Sequence, residues 1–528
     1  MIETPLWHPA EFVLRSSVGR ENALQECELR ATFTSPSGRQ RRGYGFWDGD
    51  DMWRVRFAPD EVGAWTGLTT CSDSSDAGLH GQRLGLQAGE AQGETAFDQH
   101  GPIRVAGNGR HFEHLDGTPF FWLADTCWNG PLRSDDAEWQ LYLQTRTRQS
   151  FTAVQWVATQ FLAAVDGDRD GRKAFSGTDR ITLDPGFFQR LDGKVEAMAR
   201  ADLLGIPVLL WAAEWTDDPA VNATNPGYYL PEDQAILLAR HMVARWDAYP
   251  VAWFLPGDGP YSGEKAARWQ RIGRAVFDDV DHAPVTLHPN GMSWFAPEFD
   301  AEDWLGYVGY QSGHGDDDPT VRWLTEGPPA SGWQVLRPRP IVNLEPPYED
   351  HIGYQSQQRF TADDVRRRLA WSLLASPTAG VTYGGHGVWG WDDGTTVPEN
   401  HPTTGIAKPW REALHLPGAE QVPHLAAFFE GLEWWRLVPA PELVVDQPGG
   451  HRHISASRSA AGDLAVVYVP EDRAISLQLD GLQVGLTATW VNPSTGGAVP
   501  ADLGDGRLTT PAPGDWWLIV ELREQGGA

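Results

Sequence analysis

Two acidic residues stand where a chain could carry out acid–base chemistry. Asp258 follows the apolar run 251–255 in Pro256-Gly257-Asp258-Gly259, and Glu345 follows the run 340–344 in Glu345-Pro346-Pro347-Tyr348. Gly or Pro flanks each one and restricts the loop that presents it. One carboxyl kept protonated and a second kept ionised are what glycoside hydrolysis requires, as proton donor and as nucleophile or base. Asp258 is assigned as donor and Glu345 as nucleophile. Glu214, after the run 207–212, is the rival for the donor role and otherwise a hydroxyl acceptor.

The other apolar runs also end in polar or aromatic groups. Asp125 and Trp128 follow the first run, Gln155 and Trp156 close the second, and His288 follows the fifth. Gln311 and His314 end the sixth, Tyr348 extends the seventh, and His386, Trp389 and Trp391 follow the eighth. Amides, imidazoles and carboxylates suit sugar hydroxyls, and indoles suit the flat faces of sugar rings, so all twelve of these residues, Glu214 included, are expected to line one pocket. His288, His314 and His386, with Asp125 as a fourth ligand, also have the donor types of a metal site. They lack an H-x-H or H-E-x-x-H spacing and lie among Gln, Asn and Trp, so neither a metal nor an organic cofactor is expected. A metal-dependent hydrolase and a non-catalytic carbohydrate-binding protein are the alternatives.

These residues need a frame that brings run ends together. Eight apolar runs (120–124, 153–157, 207–212, 251–255, 284–287, 305–310, 340–344 and 379–383) alternate with helix-period stretches at 187–204, 231–246, 264–277 and 362–374. That arithmetic fits an α/β fold, a (β/α)8 barrel, whose active residues gather at the C-terminal strand ends. An open doubly wound sheet is the structural alternative, but no G-x-G-x-x-G opens a helix after the first run, which disfavours a dinucleotide fold. On either side the period falls to two. Trp53-Arg54-Val55-Arg56-Phe57 alternates near the start, and Leu464, Val466 and Tyr468, then Ile475, Leu477 and Leu479, alternate near the end. The expected division is a β-sandwich at 1–98, the barrel at 99–436 and a second β-sandwich at 437–528. Residues 84–100, rich in Gly, Gln and Ala, read as a linker. The sandwiches are expected to shape the barrel rim or mediate self-association, a homo-oligomer being one expected state.

Composition narrows the partners. The 528 residues carry 42 Lys+Arg against 71 Asp+Glu, a net charge of −29, which argues against nucleic acid and anionic membranes. No apolar run approaches the ~20 residues of a membrane span. The N-terminal residues show no basic and apolar leader pattern, and the three cysteines fit no metal spacing, so a reducing cytoplasm is the expected compartment. The 26 Trp divide in two. Trp47, Trp53, Trp65, Trp434, Trp435, Trp490, Trp516 and Trp517 fall in the sandwiches or at the barrel's tail, where packing accounts for them. Trp128, Trp156, Trp211, Trp215, Trp389 and Trp391 fall at run ends.

The segment GRHFEHLDGTPFFWLADTCWN (109–129) resembles the entry into the first barrel strand of the apiosidase-like glycoside hydrolases. The similarity continues through VAWFLPGD (251–258), VTLHPNG (285–291), GYQSGH (309–314) and PIVNLEPPYE (340–349). WHPAEFVL (7–14) with GFWDGDDMWRVRFAPDEVGAWT (45–66) is similar to the β-sandwich that often precedes these barrels. ATWVNPSTGG (488–497) resembles the small C-terminal sandwich that carries a collagen-binding label, a label taken here as a name only. The resemblance implies an exo-acting hydrolase releasing a terminal sugar such as apiose. It places the catalytic carboxylates at Asp258 and Glu345 and implies a retaining outcome.

Overall fold

A computed structural model describes residues 1–214 and 219–522. All eight apolar runs become parallel strands: β1 (Trp122–Thr126), β2 (Ala153–Val157), β3 (Leu204–Trp211), β4 (Trp253–Gly257), β5 (Val285–Thr286), β6 (Val308–Gln311), β7 (Ile341–Glu345) and β8 (Gly380–Tyr383). In space they run β5-β4-β3-β2-β1-β8-β7-β6. The seam between β5 and β6 closes through backbone and side chain: Gly306 N–H donates to Val285 O at 2.9 Å and Gly309 N–H to Thr286 Oγ1 at 2.9 Å. The outer ring comprises α1 (Asp136–Arg148), α2 (Pro185–Arg200), α3 (Glu232–Trp246), α4 (Gly263–Phe277), the short α5 (Ala296–Phe299), α6 (Asp318–Thr325), α7 (Ala362–Ala375) and α8 (Pro417–Glu430). The sheet and helices form a (β/α)8 barrel.

Local chemistry sets several boundaries. Capping boxes open α1 at Asp135 and Glu138 and α7 at Thr361 and Asp364, each satisfying otherwise orphaned N–H groups. The second helix stops at Arg200 rather than 204, because Asp202 takes a left-handed φ of 60° and Leu204 already pairs with Ala153. A three-stranded hairpin sheet (Ile103–Val105, Phe112–His114, Pro119–Phe120) leads into β1, and Phe112 packs on Trp122 and Tyr307 at the barrel's N-terminal end.

The first ~90 residues form two facing sheets, one of five strands and one of three. Residues 83–89 are not linker: Arg83–Gly89 is a strand between Ile2–Pro5 and Gly63–Cys71. Leu84, Leu86 and Ala88 alternate into the core, a period-two signal that the intervening glycines obscured. Buried charges dock this sandwich on the barrel. Arg245 of α3 donates to Asp48 Oδ1 at 2.8 Å and to Asp192 of α2 at 2.6 Å, and Arg56 donates to Asp192 at 2.8 Å. At the other end a six-stranded sheet and a two-stranded one make the C-terminal sandwich. Its strand Leu464–Val469 is buried on both faces: Ala465, Val467 and Val469 enter the sandwich core, while Leu464, Val466 and Tyr468 join the barrel's cluster. Trp517 beside them stacks on Phe428 of α8 with ring centroids 4.8 Å apart.

Candidate active site

The barrel mouth centres on Glu345. Strand β7 would normally turn Glu345 outward, since Asn343 faces α7, where its Nδ2 donates to Ser372 Oγ. A register shift intervenes: Tyr310 pairs with Asn343, but Gln311 pairs with Glu345. Leu344 is the extra residue, and this bulge lets Leu344 and Glu345 both face inward, a device that re-aims side chains beside active sites. Gly309 on β6 leaves the room Leu344 needs, because a Cβ there would collide with the Leu344 side chain.

Two histidines grip the carboxylate. His314 Nε2 lies 3.0 Å from Glu345 Oε1, and His288 Nε2 lies 3.3 Å from Oε2. The His314 tautomer is fixed by its other nitrogen, Nδ1, which accepts from the Tyr348 backbone N–H, so Nε2 carries the proton and donates to Glu345. Burial by itself would push Glu345 upward, but hydrogen bonds and charge from His288 and His314 outweigh it and hold the carboxyl well below the usual range. Glu345 is therefore an anion at neutral pH.

Aromatic rings wall this anion. Trp128 stands edge-on to His288 at 5.3 Å and to Trp211 at 5.4 Å, and its Nε1 donates to the Tyr348 hydroxyl at 3.0 Å. Tyr348 packs its ring on the bare backbone of Gly384, where a Cβ would not fit. Below Glu345, Gln155 Nε2 donates to Thr126 Oγ1 and to Leu344 O, bracing β1 and β7 across the lumen. Gln311 lies beside Glu345 in register, with its amide oxygen against Gly291. On the β8 side His386 accepts from Trp389 Nε1 at 3.2 Å. Burial lowers the His386 pKa to about 4, so it is a neutral imidazole.

Asp258 terminates β4 with φ 35°, a left-handed conformation that is strained for a residue with a Cβ. Its loop is tied to the next one, since Asn290 N–H donates to Gly259 O and His288 N–H to Pro256 O. Tyr354 stands edge-on to His314 at 5.7 Å, and its hydroxyl lies within reach of the charges of Glu345 and Asp258.

Two expected pocket residues, Asp125 and Trp156, turn away from the lumen for one physical reason: neighbours on a strand face opposite sides. Thr126 and Gln155 face the lumen, so Asp125 and Trp156 face the helices. Asp125 accepts from Tyr142 and Arg146 of α1 at 2.6 and 2.7 Å, a fully buried ion pair, and Trp156 packs on Trp246 of α3 at 5.5 Å. Trp391 lies beyond the mouth, stacked on Trp410 at 3.9 Å and beside Trp139 of α1. Glu214 forms an ion pair with Lys265 of α4. Trp215 lies outside the described residues.

The structure adds His351 and Tyr354 to the site. His351 stacks on His314 with centroids 4.1 Å apart, and 55% of Tyr354 is exposed at the rim. Both stand in Glu349-Asp350-His351-Ile352-Gly353-Tyr354, and that density of His and Tyr shortly after β7 was a signal available in the sequence. Among the described residues no group of three or more His, Cys, Asp or Glu is arranged to hold a metal ion, and no helix is long and apolar enough to cross a membrane.

A (β/α)8 barrel with an ionised glutamate at the end of β7 and an aspartate at the end of β4 is the frame of a glycosidase. The chain belongs to the apiosidase-like family, whose catalytic-domain model matches residues 106–436. Residues 3–72 match a domain of unknown function, DUF5060, and residues 438–520 match a domain named for collagen binding in a collagenase. A glycoside hydrolase family 5 protein from Bacteroides vulgatus ATCC 8482 superposes with TM-score 0.70 at 21% identity, covering 82% of this chain and 95% of that one. Another protein of that organism, described as a glycoside hydrolase, has TM-score 0.69 at 15% identity and covers 99% of this chain and all of its own. At these identities the likeness concerns the fold. No curated protein sequence matches.

Proposed function

We propose that the enzyme is an exo-acting, retaining glycosidase that removes a terminal sugar, apiose being the first candidate, without a metal or organic cofactor. The observation that carries the reading is Glu345 held as an anion by His288 and His314, because a group so held can attack but cannot donate a proton. Asp258 is then the acid. It protonates the glycosidic oxygen as Glu345 attacks the anomeric carbon, the aglycone leaves, and a glycosyl ester on Glu345 remains. Asp258, now a carboxylate, takes a proton from water, which attacks the ester and returns both residues to their starting states.

The small exposure of Glu345, 7%, supports exo action, since a closed-in mouth admits a chain end more readily than an internal unit. Trp128, Tyr348 and Trp389 are assigned as walls for the ring, Gln155, Gln311 and His288 as hydroxyl partners, and His314 and His386, whose ring nitrogens are both engaged, as groups that position Glu345 and Trp389. The family's description as apiosidase-like supports apiose. The three-part division at residues 98 and 436, with both sandwiches supporting the barrel, belongs to the same reading. The test is a panel of aryl furanosides and pyranosides, apiosides included, with Glu345→Ala and Asp258→Ala. Glu345→Ala should abolish turnover of every substrate and Asp258→Ala that of substrates with poor leaving groups, and near-wild-type activity on the latter in either variant would overturn the assignment. Sugar binding with no turnover on any substrate would instead favour a non-catalytic carbohydrate-binding protein.

A further inference from the structure

Behind the loop that carries Tyr354 lies a second cleft, of about 240 Å³, walled by that loop, by α7 and by the turn Gly450–Arg452 of the C-terminal sandwich. It contains guanidinium groups that the fold leaves under-compensated. Arg368 is 4% exposed, donates from Nη2 to the Gly315 carbonyl at 3.2 Å and lies over the Trp371 ring at 5.6 Å, with no carboxylate bonded to it among the described residues. Burial lowers its pKa to about 10, the direction expected when nearby negative charge does not match the desolvation. Arg367 beside it has a buried Nε with no hydrogen-bond partner.

The two carboxylates in the cleft wall are engaged elsewhere. Asp316 accepts from the backbone N–H groups of Gln355 and Ser356, and Asp364 accepts from Thr361 N–H at the start of α7. Two further polar residues, Ser356 and His451, line the rim. The Ser356 hydroxyl accepts from Gln358 N–H and donates to Asp316, which ties the loop to that carboxylate. Burial and the charges of Arg368 and Arg367 hold the His451 pKa low, so its ring is neutral, and it is positioned by the Asp316 backbone and by Asp318, 3.7 Å from Nε2.

We propose that this cleft is an oxyanion-binding site, in which Arg367 and Arg368 take a carboxylate, phosphate or sulfate group with Ser356 and His451 at the edge. Guanidinium forks match such groups in geometry and charge, and a buried fork without a partner gains most from one. The oxyanion is carried either by an acidic sugar or by a free inorganic ion. Because Ser356 and Tyr354 share a loop, an occupant would brace the loop that forms the active-site rim.

The experiment is calorimetric titration of the full chain, at low ionic strength, with sodium galacturonate, sodium phosphate and, as the neutral control, galactose. Wild type should bind one equivalent of at least one anion. Arg367→Gln should weaken that binding at least tenfold, and Arg367→Lys, which keeps the charge but loses the guanidinium fork, should weaken it severalfold. Galacturonate binding alone assigns the site to acidic sugars, and phosphate binding alone assigns it to free oxyanions. Absence of binding by both anions, or affinity unchanged in both variants, overturns the proposal. Binding is read without turnover, so this outcome is separate from that of the glycosidase reading.

Discussion

His314 donates its Nε2 proton to Glu345 Oε1 across 3.0 Å, and the Tyr348 backbone N–H, bonded to Nδ1, permits no other tautomer. The imidazole is thus a fixed donor aimed at the carboxylate. His351, stacked on its far face at 4.1 Å, keeps the ring from turning.

Removing that donor should weaken the anion. His314→Ala takes away one of two groups that depress the Glu345 pKa, so the acidic limb of kcat/KM should move to higher pH, with kcat reduced roughly 10- to 100-fold. A pH–rate profile checks this. An unmoved acidic limb would show that His314 does not control the charge of Glu345.

The assignment of Asp258 as acid predicts a dependence on the leaving group. Asp258→Ala should lose about 10²–10⁴-fold on a glycoside with a poor leaving group and far less on a dinitrophenyl glycoside, which needs little protonation. Azide should restore turnover in this variant by attacking the glycosyl ester, and a β-configured or α-configured glycosyl azide, matching the substrate's own anomer, would report retention. A uniform loss across leaving groups would point to a role in binding.

Stability should fall in mild acid. His386 and His453 are buried, and burial lowers both pKa values to about 4, below the ~6.5 of an unfolded chain. Between these values the unfolded chain binds more protons than the folded one. The contribution is therefore complete above about pH 6.5 and is lost as pH falls toward 4, at up to roughly 1.4 kcal/mol per pH unit for each group. Urea unfolding at pH 7 and pH 5 measures it, and His453→Phe should flatten the slope.

The N-terminal sandwich should depend on one arginine. Arg245 is fully buried between Asp48 and Asp192, which keep Arg54 and Arg56 as partners, so Arg245→Ala should cost about 3 kcal/mol, the low end for breaking a buried pair. Replacing all three by apolar residues should cost much less. Chemical denaturation of the single and triple variants separates the two cases.

Ending the chain at residue 436 should give insoluble protein. Trp517 packs on Phe428 and Phe429, Leu464 and Val466 join the barrel's hydrophobic cluster, and Asp515 pairs with Arg366 of α7 at 2.7 Å. A soluble, fully active truncation would show that the sandwich is dispensable for the barrel.

The sequence by itself determined the eight barrel strands, because a parallel strand covered on both faces reads as an unbroken apolar run, and each run ended in the loop that carries polar groups. It also marked Asp258 and Glu345, since an acid placed between Gly or Pro at a run's end stands out locally. It did not determine which polar residue at a strand end faces the lumen. Asp125 and Trp156 looked like pocket residues until the pairing of β1 and β2 put Thr126 and Gln155 on the inside and turned their neighbours toward α1 and α3. Tertiary structure also decided that Glu345 points inward at all, because the bulge at Leu344 exists only in the register between β6 and β7. It likewise decided that a histidine 31 residues away, His314, sets the charge of Glu345. Facing direction and ionisation depend on what a residue packs against, and the neighbours that fix them come from distant parts of the chain.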